Sequence, residues 1–162
     1  MSALVVRKGT VQDLPVMLQL AAEKRRQYES YQPVFHRRAS DAAAKAAQEQ
    51  YFAELIMRDD IIVLVAETAG TVVGFATAEI HTAPAVYDPG GPAAIIDEYC
   101  VAVPELWDTV GRQLLEAVEA ELRRRGVAVV VVVCSPRDIA KRASLINRGM
   151  SVATEWFAGP LS

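Results

Sequence analysis

Cysteine and histidine are scarce in this sequence, with two of each in 162 residues. Cys100, Cys134, His36 and His81 lie far apart along the chain, so no zinc-ligand spacing exists and no metal is expected. Both cysteines sit inside apolar, strand-like runs, which reads as reduced core thiols. Positive charge is not in excess: 17 Lys and Arg stand against 20 Asp and Glu, for a net charge of -3. That balance argues against a nucleic-acid partner, which asks for a basic surface. Long hydrophobic runs are missing too. The longest, Val127 to Cys134, falls far short of the ~18–20 residues of a membrane span, so no membrane partner is expected. Met1 to Arg7 lacks the basic start, long apolar middle and small-residue cleavage site of a leader, and the expected setting is cytoplasmic. With no low-complexity tract and 52% hydrophobic residues, the chain reads as one domain over residues 1–162.

Periodic segments fill most of the length. Leu4 to Lys8 reads as a strand. A helix follows with a stripe of Leu14, Met17, Leu18 and Ala21; its start is either a Thr10–Asp13 capping box or an Asp13 cap with Pro15 in the first turn. Tyr28 to His36 is aromatic, broken by Pro33 and without a period. It is either a plug between helices or a wall for a substrate. Ser40 caps a second helix to about Met57, and Ile61–Glu67 and Val72–Ile80 form a hairpin. A long loop rich in turn formers, His81 to Ala94, leads into the next strand. Val127 to Cys134 is apolar on both faces and is expected to be a central strand. Ser135, Pro136 and Asp138 are expected to open a fourth helix ending at Gly149, and Met150 to Ala158 reads as a last strand. Trp156 and Phe157 on it belong either to the core or to an interface between two copies. The fold class is α/β (α+β), a mixed central sheet with helices on both faces.

The chain is organised around Ile96 to Leu115. Ile96–Val103 is strand-like and stops at Pro104, and Val110, Leu114, Leu115, Val118 and Leu122 then fall on one helical face. A strand feeding a helix through a tight turn leaves the first helical N–H groups unpaired, a place suited to phosphate.

This unit, Val101-Ala102-Val103-Pro104-Glu105 followed by Gly111-Arg112-Gln113-Leu114-Leu115, resembles the GNAT family of acetyl-CoA-dependent N-acetyltransferases, and the likeness extends from Val5 to about Phe157. Asn147-Arg148-Gly149-Met150 resembles the family's Gly-Phe helix end. The resemblance implies the GNAT fold, acetyl-CoA as co-substrate, a primary amine of a small molecule or protein as acceptor, and a possible homodimer. It places a general base at Asp97, with Glu98 beside it on the opposite strand face, and a backbone oxyanion donor within Tyr99 to Val101. It places pantetheine along Val101 and Val103, and pyrophosphate over the turn formed by Trp107, Thr109, Val110, Gly111 and Arg112. The aromatic loop with Tyr28, Tyr31 and Phe35 resembles a substrate wall.

Two features depart from the family pattern. The pyrophosphate turn keeps only its last glycine, Gly111, is one residue short, and carries Asp108, either a negative charge beside the diphosphate or a cap on the helix. The fourth helix has Leu145 where the family's acid tyrosine falls. An active acetyltransferase and a catalytically impaired ligand-binding or assembly module therefore both stand as readings. An unobstructed turn and a splay between the strands at Cys100 and Cys134 favour the enzyme; a turn filled by Trp107 or Asp108 favours the module.

Overall fold

The computed structural model describes residues 3–161; Met1 and Ser2, the start of the segment read as lacking a leader, and Ser162 lie outside the described residues. Its strands are β1 (Leu4–Lys8), β2 (Ile62–Thr68), β3 (Thr71–His81), β4 (Ala93–Ile96), β5 (Tyr99–Val101) and β6 (Val129–Val132). Its helices are α1 (Leu14–Tyr31), α2 (Asp41–Met57), α3 (Arg112–Arg124) and α4 (Ile139–Asn147). The sheet runs β1-β2-β3-β4-β6, with β5 also on β3. Among the described residues only β4 and β6 pair in parallel, which follows from the crossover through α3. One core lies under α3 and α4, centred on Ala76, Ile96, Leu114, Leu115 and Val118, and another under α1 and α2, centred on Met17, Phe52, Val65 and Phe75. This is the expected mixed sheet with helices on both faces.

Local signals explain most boundaries. Asp13 accepts from the Thr10 N–H at 2.8 Å, so the capping box forms on a short 3₁₀ turn, and Pro15 then sits in the first turn of α1 where its missing N–H costs nothing. The Ser40 hydroxyl accepts from the Ala43 amide at 3.2 Å to open α2. The arginines ending α3 pair back along the helix, Arg123 with Glu119 at 3.1 Å and Arg125 with Glu121 at 2.7 Å. Gly126 takes the left-handed conformation, φ 75°, that lets the Val127 amide reach back to the Leu122 carbonyl.

Four expectations are corrected. The strand expected over Ile96 to Val103 is interrupted: Glu79 faces Ile95, yet Ala76, three residues back along β3, faces Tyr99, four residues on. The extra residue makes a bulge at Asp97-Glu98, so strict side-chain alternation is lost there. The run Val127 to Cys134 is not a central strand: β6 is an edge, and Val129, Val131 and Val133 stand 38–41% exposed. The last strand does not form: residues 151–161 belong to no helix or strand and are exposed, with Ala158 O accepting from Gln32 Nε2 at 3.1 Å. Finally, α4 opens on Asp138, whose carboxylate accepts from the Lys141 amide at 3.4 Å, while Ser135 closes the preceding turn, its carbonyl accepting from the Asp138 amide and its hydroxyl from the Arg137 amide.

Candidate active site

The bulge is clamped by a polar cluster. Lys24, on the same α1 stripe as Met17, Ala21 and Tyr28, donates to the Asp97 carbonyl at 2.8 Å and to Glu98 Oε2 at 3.2 Å. Gln48 from α2 donates to the other Glu98 oxygen at 3.2 Å. Burial works against the Lys24 charge, but Glu98, with Asp97 behind it, outweighs burial and holds the ammonium above its ordinary pKa. Glu98 is therefore a paired carboxylate between two helices, whereas the Asp97 side chain is exposed. Both act on Lys24, consistent with the bulge having turned the two residues out of alternation.

Beyond the bulge the sheet opens. The Glu98 carbonyl accepts from Thr77 N and the Ala102 amide donates to Val73 O, so those groups point at β3. By backbone alternation, Tyr99 and Val101 present their main-chain groups to the opposite side. There β6 has already left: its ladder with β4 ends at Ile96–Val132, and no ladder joins β5 to β6. The result is a splay with one strand edge facing a gap. Lys141 reaches into it from α4. It is fully buried, donates to the Tyr99 carbonyl at 3.2 Å, and lies 5.1 Å from the Tyr99 ring and 5.4 Å from the Trp107 ring. Burial, helped by repulsion from Lys24, lowers its pKa. Cys100 is buried beside this gap, and burial pushes its thiol up to about 11. Cys134, half-buried just past β6, is raised for the same reason.

The turn ahead of α3 is wound shut. Pro104–Leu106 is a 3₁₀ turn and Trp107–Gly111 a π-helical one, so the chain is helical from Pro104 to Arg124. The Arg112 amide already bonds to the Thr109 and Trp107 carbonyls. Trp107 is buried edge-on to Tyr99, whose hydroxyl donates to the Gly111 carbonyl. Gly111 is required by close approach: a Cβ there would lie 2.6 Å from the Trp107 ring. Asp108 makes no cap, and Asp108, Thr109 and Arg112 are exposed while Val110 is core. Val103 is 48% exposed and lies past the end of β5, capping the 3₁₀ turn.

Tyr28, at the end of α1, donates to Asp138 Oδ2 at 3.1 Å and accepts from the Ser135 amide at 3.3 Å. Burial, reinforced by Asp138, raises its pKa, so the phenol stays neutral. Its ring lies 5.8 Å from Tyr31 and 5.5 Å from His36, and Phe35 packs edge-on against His36. Burial, with Lys24 nearby, lowers the His36 pKa. The structure thus brings Tyr28 to the clamp that holds Asp97 and Glu98, with Lys24 Nζ 5.6 Å from its ring and Tyr31 beside it, leaves Phe35 exposed, packs Val101 on the α3 side, and sets Trp107 and Val110 into the core under the turn. Sequence reasoning missed Lys24, Gln48, Asp138 as a phenol partner, and Lys141. The signal existed for the lysines: Lys24 falls on the apolar α1 stripe, and Lys141 lies one turn before buried Leu145.

Among the described residues no group of His, Cys, Asp or Glu is arranged to hold a metal ion, and no helix is long and apolar enough to cross a membrane. The sequence matches the acetyltransferase (GNAT) family over residues 24–143. No curated protein matches it. Solved structures resemble it closely in shape. A variant of the BH1408 protein from Bacillus halodurans is 16% identical, covers 98% of this chain and 99% of its own, and superposes with a TM-score of 0.83. A predicted acetyltransferase from Clostridium acetobutylicum, solved with acetyl-CoA, is 14% identical with 98% and 96% coverage and a TM-score of 0.70. The aminoglycoside N-acetyltransferase AAC(6')-Iy, solved with CoA, is 18% identical with 99% and 96% coverage and a TM-score of 0.70. Splayed sheet, helix-opening strand and family match together make this chain a member of the GNAT acetyltransferase family.

Proposed function

We propose that the protein is an acetyl-CoA-dependent N-acetyltransferase acting on a primary amine of a small molecule or protein. The observation that carries the reading is the splay, where no strand pairs with the outward edge of β5 and the Tyr99 carbonyl is met only by the Lys141 ammonium, leaving the main-chain groups of Val101 for a ligand. An extended amide-bearing arm such as pantetheine fits an open strand edge, since it offers the same alternation of N–H and C=O. Bound there, acetyl-CoA supplies the acyl group as an activated thioester. The Val101 amide is the donor available to the carbonyl oxygen as charge develops on it. The fit is weaker at the turn, where the Arg112 amide is already bonded, so the exposed side chains of Arg112 and Thr109 are what remain for a diphosphate.

Asp97 is the group we assign to take the proton of the attacking amine, because its side chain is exposed while Glu98 is held by Lys24 and Gln48. Paired Glu98 positions the bulge rather than moving a proton. Tyr28, Tyr31 and Phe35 form the wall against which a partly apolar, cationic amine packs. A thiol-release assay over a panel of primary amines tests the function: acetyl-CoA consumption dependent on one amine class supports it, and none across polyamine, aminoglycoside and peptide amines overturns it.

The second reading, a catalytically impaired ligand-binding or assembly module, is favoured by the wound turn with Trp107 packed beneath Gly111. The two readings separate on turnover, not on binding.

A further inference from the structure

Lys141 carries a charge that the rest of the chain does not answer. Its side chain is fully buried, and a buried ammonium is ordinarily paired with a carboxylate. Lys24, the other cation at the splay, has Glu98 at 3.2 Å, whereas among the described residues no carboxylate forms an ion pair with Lys141. Of the ammonium's three donors, one bonds to the Tyr99 carbonyl at 3.2 Å. The Tyr99 and Trp107 rings, 5.1 and 5.4 Å away, attract the charge but do not neutralise it. Asp138, which opens the same helix, is engaged elsewhere: one oxygen accepts from the Tyr28 hydroxyl and the other from the Lys141 amide. The remaining titratable groups around the ammonium are Lys24 from α1, Cys100 from β5 and Cys134 past β6. The lysine repels it, and burial keeps both thiols protonated. A buried cation in this state fits an anion that comes with a ligand.

Its place identifies the anion. Lys141 sits at the outward edge of β5, and the Val101 amide lies two residues along that edge on the same side. Acyl transfer from a thioester develops negative charge at two atoms, the carbonyl oxygen and the departing sulphur. The oxygen has the Val101 amide. For the sulphur, α4 offers no tyrosine, and Leu145, one turn beyond Lys141 on the same buried face, is apolar. We propose that Lys141 receives the sulphur: its ammonium pairs with the thiolate as the thioester breaks and passes it a proton. This rests on the function proposed above. The amine nitrogen bonds to the acyl carbon, and the carbon–sulphur bond breaks with its electron pair going to sulphur. Asp97 takes one proton from the nitrogen, and Lys141 gives one to the sulphur. The products are the amide and a free thiol, and both side chains regain their starting states by proton exchange with water. Burial and repulsion by Lys24 weaken the hold of Lys141 on its proton, which moves its acidity from that of an exposed lysine toward that of a thiol, about 8.5.

The test reads the sulphur itself. CoA, and S-methyl-CoA, which keeps the arm but has no ionisable thiol, are each bound to the full chain at pH 7. The ultraviolet difference between the two complexes reports thiolate. Bound CoA is expected to show the thiolate band at this pH, where a free thiol is mostly protonated, because a neighbouring cation favours the charged form. Lys141→Met keeps the volume and removes the charge. It should bind S-methyl-CoA as the wild type does, keep its circular dichroism spectrum and lose the band. With the amine that the thiol-release panel identifies, its single-turnover rate should fall by about 10²-fold. The wild-type spectrum decides without any variant: both ligands bound and no thiolate band overturns the assignment and leaves the function standing. A band that persists in Lys141→Met, or a single-turnover rate that does not fall, also overturns it. Failure of the wild type to bind either ligand at millimolar concentration removes the function and this assignment together.

Discussion

Asp97 and Glu98 are adjacent carboxylates with different surroundings, and the difference assigns their work. Glu98 is locked between Lys24 and Gln48, while Asp97 is free at the mouth of the splay. Asp97→Asn is expected to lower kcat by about 10²–10⁴-fold, the usual worth of a general base, with acetyl-CoA affinity unchanged in calorimetry; a variant turning over at the wild-type rate removes Asp97 from the mechanism. Lys141 gives a stability prediction with a definite sign. Its folded pKa is lowered, so between that value and the unfolded 10.5 the unfolded chain binds more protons and stability rises with pH. Lys141→Met, which keeps the volume and removes the buried charge, should raise Tm at neutral pH, and its advantage should shrink as pH climbs toward 10.5. An advantage that does not change with pH argues that the ammonium is not penalised. Asp13 runs the other way. The Arg7 guanidinium and the Thr10 amide hold its carboxyl below the usual range, so its contribution is present above pH 3.8 and is lost as pH falls through the folded value. Asp13→Asn should cost about 2 kcal/mol at pH 7 in denaturant unfolding, with the gap from wild type closing in acid. The lysines show why part of the site was hidden in the sequence. Lys24 and Lys141 occupy apolar stripes, where a charged residue reads as the edge of the stripe unless its partner, here Glu98 or the Tyr99 carbonyl, is known.

At the scale of elements, the strand–turn–helix unit was legible because periodicity and Pro104 mark it, and the helix stripes, caps and hairpin were legible for the same reason. What failed depended on register and on neighbours. A one-residue bulge at Asp97-Glu98 leaves no composition signal. The valines of β6 read as central because apolar side chains on both faces have the same pattern whether the cover comes from the same chain or from elsewhere. The π turn leaves no periodic signal in the sequence; it goes with packing, the Trp107 ring filling the space where a Cβ of Gly111 would stand. This also changes what Gly111 predicts. Gly111→Ala places a methyl about 2.6 Å from the indole and should destabilise by about 1–3 kcal/mol through overpacking. The check is thermal unfolding. A neutral substitution shows that the indole moves readily and that the turn is less closed than its geometry suggests.

Taken whole, the molecule is a sheet with one opening, and helices α1 and α4 set the residues that line it. Net charge -3 gives no long-range attraction for an anionic co-substrate, so affinity rests on the local fit of an extended arm to the β5 edge. The family and fold class follow from a pattern spread over most of the chain, which is why the sequence carried them; the acceptor amine depends on a few side chains around Tyr28 and Asp97, and one sequence has no period or spacing that encodes it. On the proposed function, acetyl-CoA is held mainly by its pantetheine arm in the splay, with little help from the wound turn. Isothermal calorimetry comparing acetyl-CoA with acetyl-pantetheine tests it most directly. Measurable binding of both is expected, with the loss of the nucleotide diphosphate costing less than about tenfold, or about 1.4 kcal/mol. Absence of binding at millimolar acetyl-CoA, or a loss of about a hundredfold or more for acetyl-pantetheine, contradicts it.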